Sequence, residues 1–227
     1  MAQTPGQLPL FAGLWRGRDA PPRTMPAIST GLPALDAALP YGGWPLGALT
    51  EILVDREGIG ELRLVMPALA QLSRQGRWLA WISPPYIPYA PALAHHGVDI
   101  TRVMLVRPKA DNDHFWAVEQ ALRAGTCGAV LAWPRSGDSR RLRRLQLAAE
   151  AGNSWGLLFR PLRSAKQSSP AALRLQLLVN ADYLQVTLLK CRGGWPHKPV
   201  NIKLSLASLT AASAPLVSEH EANENAR

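Results

Sequence analysis

Cysteine is nearly missing from this chain: Cys127 and Cys191 alone occur in 227 residues. Two such residues build neither a disulfide framework nor a metal cluster, so they read as reduced thiols of a cytosolic protein. Long apolar runs are missing too; the longest are strand- or helix-sized and too short to cross a bilayer. The N-terminus, MAQTPGQLPLFAGLWRGRD, lacks the basic-then-apolar pattern of a signal peptide. Acidic residues are scarce, 16 against 25 Lys and Arg, which leaves a formal charge of +9. That imbalance points to a polyanionic partner, nucleic acid first, or else simply to a basic protein.

Catalytic signatures are also lacking. No G-x-S-x-G, H-E-x-x-H or paired-cysteine spacing occurs. His95 and His96 are adjacent, so on a helix they diverge and cannot serve one metal. A further absence lies in LTEILVDREGIGELRL, Leu49–Leu64, where an apolar strand runs through a Gly-bearing turn toward a helix. A phosphate-binding loop there reads G-x-x-x-x-G-K-[ST]. This chain has Gly58, then Gly60 or Glu61 in place of the Lys, and Glu61 or Leu62 in place of the Mg²⁺-binding hydroxyl. The strand that should end in a metal-orienting Asp ends AVLAWP, with Trp133; the one that should deliver a carboxylate ends WISPPY, with Pro85. Three requirements of ATP hydrolysis fail together, so the expectation is a degenerate nucleotide site, no cofactor and no enzyme.

What is present is a foldable α/β pattern, with 47% of residues hydrophobic. Residues 1–27 are rich in Pro and Gly and read as a flexible arm; residues 207–227 are small, polar and finally acidic, and read as a disordered tail. Between them, in 28–206, strands are expected at Leu49–Val54, Trp78–Ser83, Val103–Val106, Ala129–Trp133 and Gly156–Arg160. Helices separate them, one carrying Leu62, Val65, Leu69 and Leu72 on a stripe, another capped by Asp113. Leu173–Val179, Leu184–Cys191 and Val200–Leu206 follow without helices, which predicts an antiparallel extension of a mostly parallel sheet. Trp78, Trp81 and Trp133 read as core.

The lead-in ISTGLPALDAALPYGGWPLGALTEI (Ile28–Ile52), ALAHHGVDITRVMLV (Ala92–Val106) and AALRLQLLVNADYLQVTLLKCRGG (Ala171–Gly194) resemble parts of the bacterial RecA recombinase core. With LWRGR (Leu14–Arg18) and FRP (Phe159–Pro161), the chain resembles the ImuA family of RecA-like accessory proteins over about residues 14–206. That resemblance implies a RecA-like core and a non-catalytic role in SOS-induced mutagenic translesion synthesis. The implied partners are ImuB, RecA and an error-prone DNA polymerase; the implied place is the bacterial cytoplasm, at the nucleoid when DNA is damaged. The middle, from LRLVMPALAQLSRQGRWLAWISPP to AAEAGNSWGLLFRP, also looks like SulA, the division inhibitor that binds FtsZ. The lead-in and the last three strands, which a SulA-like chain does not need, favour the ImuA reading.

Several residues are candidates for contact. Arg140, Arg141 and Arg144 lie opposite the Leu142/Leu145 stripe and suit phosphate or an acidic partner, or a plain solvated helix face. Arg163 and Lys166 fall where the resemblance places a DNA-binding loop, without an aromatic for base stacking. Lys190, Arg192 and Lys203 add charge further on, while Arg160 suits a structural role at a strand end. In the arm, QLPLF (Gln7, Leu8, Leu10 and Phe11 about Pro9) looks like a peptide that docks on the replicative sliding clamp. Trp15, between Arg16 and Arg18, suits a partner anchor or a contact with its own domain.

Overall fold

The computed structural model describes residues 25–109, 111–134, 137–180, 183–192 and 198–203. The chain enters through a two-residue strand, β1 (Ala27–Ile28), paired antiparallel with β2 (Trp44–Pro45) across a short helix, α1 (Pro33–Ala38). The main sheet begins at β3 (Leu49–Val54). A 3₁₀ turn over Glu61–Leu64 leads into α2 (Met66–Arg74), then β4 (Trp78–Ile82), α3 (Ala90–His95) and β5 (Val103–Val106). The chain continues through α4 (Asp111–Arg123), β6 (Cys127–Ala132), α5 (Ser139–Gly152) and β7 (Trp155–Pro161). It closes with β8 (Leu173–Asn180), β9 (Tyr183–Cys191) and β10 (Val200–Lys203).

Eight strands lie in the order β10-β9-β8-β3-β7-β6-β4-β5. Every residue of β3 is buried, as expected of a central strand with helices over both faces. Alternation along the strands divides the core. Leu79, Trp81, Leu131 and Leu157 pack with α2 on one face. Ala80, Ile82, Val130 and Leu158 pack with α4 and α5 on the other. The helices begin and end for local reasons. In α5 the Asp138 carboxylate accepts the Arg141 N–H at 2.7 Å, and Asn153 closes the helix in the left-handed region at φ 46°. Gly152 lets α5 meet α4, since a Cβ there would stand 2.0 Å from the Leu122 carbonyl oxygen.

Three expectations need correction. The extension is not wholly antiparallel: β8 runs parallel to β3, and only β9 and β10 reverse. The segment after β7 crosses to the far side of β3 and returns to its start, with Leu173 beside Thr50. Trp78 is not core; it is 39% exposed at the start of β4, with the Arg102 guanidinium 5.5 Å over its ring. Asp113 does not cap α4, which already begins at Asp111. No helix among the described residues is long and apolar enough to cross a membrane.

Candidate functional site

Two cavities open at the carboxyl ends of the parallel strands, where sheets of this kind place their ligands. Trp133, just past β6, borders both. Its ring stacks on Phe159 at 4.9 Å and leans on Trp81 at 5.7 Å, so the wall between the cavities is rigid aromatic surface.

The first cavity, about 290 Å³, is apolar. Met66 and Leu93 form its floor with Trp81, and the Pro84–Tyr89 segment after β4 stands over it. Consecutive prolines stop β4, and the irregular segment that follows bends at Pro85 and Tyr86 and leaves its large side chains exposed. Tyr86, Ile87 and Tyr89 are 71–72% exposed. Three large apolar side chains so exposed on one short segment mark a contact surface more strongly than scattered ones.

The polar groups of this cavity are few. Glu61 is buried; its Oε1 accepts the Gly58 N–H at 2.9 Å, and its Oε2 has no partner. A carboxylate thus holds the backbone amide of the very turn where phosphate would need one. Gly60 starts the following 3₁₀ turn at φ 99°, a value that suits glycine. At the rim His96 has its pKa lowered, first by burial and then by the neighbouring charges of His95 and Arg63, so it is held toward its neutral form. Gly58, Glu61, Pro85 and Trp133, singled out in the sequence as failed chemical positions, therefore line one apolar cavity. Tyr86, Ile87 and Tyr89 were missed; their signal was the interleaving of aromatics and prolines in SPPYIPYAP.

The basic candidates do not converge. Arg144 donates to Glu119 at 2.6 Å, and Arg141 lies 5.2 Å over the Phe115 ring, so both are engaged with α4. Arg140 is exposed on the first turn of α5. Lys190 donates to the Ser169 carbonyl and Arg192 pairs with Glu150 at 3.2 Å. Lys203 is exposed on β10, at the sheet edge. Lys166 is exposed at the end of the 3₁₀ turn after β7, and Arg163 lines the second cavity. Gln7, Leu8, Leu10, Phe11 and Trp15 lie outside the described residues.

Comparison with known proteins points to one family. The family described as cell division inhibitor SulA matches residues 47–156. The SulA proteins of Yersinia pestis (strain Pestoides F) and of Yersinia pseudotuberculosis (serotype O:1b, strain IP 31758) are each 33% identical over 132 residues, covering 58% of this chain and 78% of the relative. The crystal structure of SulA from Pseudomonas aeruginosa matches at 27% identity with a TM-score of 0.42, over 49% of this chain and 97% of that one.

These matches correct the earlier reading. The RecA-like label for the core falls, because the family and the curated relatives that match are SulA. With it go the ImuA-type role in translesion synthesis and the description of Gly58–Glu61 as a degenerate P-loop. ImuB, RecA and an error-prone polymerase are likewise withdrawn as partners. Nucleoid association rested on the same reading and goes with it; the sliding clamp and DNA, read from QLPLF and from the net charge, find no support in these matches. Similarity in the middle of the chain, which the sequence also displayed, carries more weight than the lead-in and the last strands. The chain belongs to the SulA family.

Proposed function

We propose that the protein is a SulA-type cell division inhibitor that acts by binding FtsZ and performs no catalysis of its own. The observation that carries this reading is the exposed apolar cavity. All its lining residues, from Gly58 to Trp133, fall inside the 47–156 span shared with the family. A function common to the family belongs in that span, and among the described residues Tyr86, Ile87 and Tyr89 are its most exposed large apolar side chains. Tyrosine and isoleucine over a preformed apolar cavity suit a protein partner, because they bury large area with few rotors to freeze. Arg63 and His96 at the rim would set the orientation of the partner.

The test is binding of the purified chain to immobilised FtsZ, with Tyr86→Ser/Ile87→Ser as the variant. Wild type should bind and the variant should lose at least about tenfold in affinity, as expected for removing two central contact residues. Its melting temperature should stay near wild type, because both side chains are already exposed in the free protein. No binding by wild type would sink the proposed function. Undiminished binding by the variant would move the docking face elsewhere.

A further inference from the structure

The second cavity, about 350 Å³, belongs to a different chemistry. It lies where β3 and β7 end, beside the 3₁₀ turn over Leu162–Lys166 that leads to β8, and its far wall is outside the family-matched span. Behind it sits a buried charge cluster. Glu51 on β3, fully buried, accepts from Arg160 on β7 at 2.8 Å and from Arg174 on β8 at 2.6 Å. Two buried guanidinium groups thus face one carboxylate. Lys190, opposite Arg174 across the β8–β9 pairing, brings a further positive charge close by. Its pKa is lowered, first by burial and then by the nearby charges of Arg174 and Arg192.

Arg160 lines the cavity. Its two terminal nitrogens are engaged, by Glu51 and by the Gly137 carbonyl and Gln167 Oε1. Its Nε is buried and has no acceptor. A buried cation surplus with an unmatched donor is costly unless an anion completes it. Arg56 and Arg163 stand at the mouth, and Trp133, Phe159 and Pro134 give apolar walls that strengthen charge interactions inside. Asp55 and Glu57 line the same mouth and are exposed. They oppose a long polyanion laid across the rim far more than a small anion seated deep against Arg160.

We propose that this cavity binds a small oxyanion of the phosphate class, held by Arg160 at its base and by Arg163 and Arg56 at its mouth. The test uses the full chain and inorganic phosphate, titrated at constant ionic strength against chloride, with binding read by phosphorus NMR and by melting temperature. Phosphate should bind saturably and raise the melting temperature above the chloride reference. Arg163→Gln should weaken binding about tenfold, as expected for one charge-assisted contact. Asp55→Asn/Glu57→Gln should tighten it, and Arg144→Gln, on another surface, should leave it unchanged. Arg163→Gln is preferred to a change at Arg160, whose loss would disturb the core. Glycerol phosphate distinguishes the sources: equal binding marks a phosphorylated small molecule as the ligand, and exclusion marks the free ion. Phosphate indistinguishable from chloride, or equal effects of Arg163→Gln and Arg144→Gln, overturns the proposal.

Discussion

Glu51 shows what a single residue can conceal. In LTEILV it is the one charged letter in a largely apolar strand, and nothing nearby in sequence hints at a partner. Its two arginines lie 109 and 123 residues away. Both pairs are shut from water, so their worth depends on staying complete. Breaking such a pair strands the remaining charge and typically costs about 3–5 kcal/mol. Glu51→Gln leaves two buried guanidinium groups with no anion, and should lower unfolding free energy by about that amount in urea titrations. An exposed pair such as Arg192–Glu150 should contribute less than about 1 kcal/mol when broken in the same assay. Arg160, which the sequence suggested as a structural strand-end residue, is one of the two arginines held on Glu51.

At the scale of elements, period and punctuation were readable. Leu49–Val54 and Val103–Val106 are strands at the bounds their apolar runs suggest, and Gly76 and Gly125, both at positive φ, follow α2 and α4. Partners and directions were not readable. The absence of a helix between β7 and β8 suggested reversal, yet the segment between them is long enough to return β8 parallel to β3. Trp78 looked like core because period-2 alternation assigns a face but not how far a helix covers it. The closing hairpin is well packed all the same. Leu177 on β8 is fully buried among core residues. Leu177→Ala should cost about 2–5 kcal/mol, seen as a lower denaturant midpoint. Because Leu177 is remote in sequence from the Pro84–Tyr89 segment, binding to FtsZ should persist wherever the variant remains folded.

For the whole molecule, the charge of +9 is a poor guide to the site. The basic residues are spread over α5, the turn after β7 and the last strands, and several are already paired within the chain. The cavity under the Pro84–Tyr89 segment, the proposed docking site, is apolar, with its few charged groups at the rim or sealed in the wall. Its binding should therefore resist salt. Between roughly 0.1 and 0.5 M salt, affinity for FtsZ should change by less than about threefold, whereas binding driven by spread surface charge would collapse. Titration of the complex at several salt concentrations separates the two; a steep fall would assign the affinity to the arginines.

Sequence alone determined what depends on neighbours along the chain: where strands and helices lie, where glycine and proline interrupt them, and that no phosphate-binding lysine follows Gly58. It also held the likeness to SulA in its middle, beside a likeness to ImuA in its lead-in. Tertiary structure decided what depends on distant segments meeting. It brought Gly58, Glu61, Pro85 and Trp133 around one apolar cavity, turned Tyr86, Ile87 and Tyr89 outward above it, and set two arginines on one buried glutamate. Local periodicity fixes a side chain's face, but burial and pairing arise only when segments a hundred residues apart are packed together.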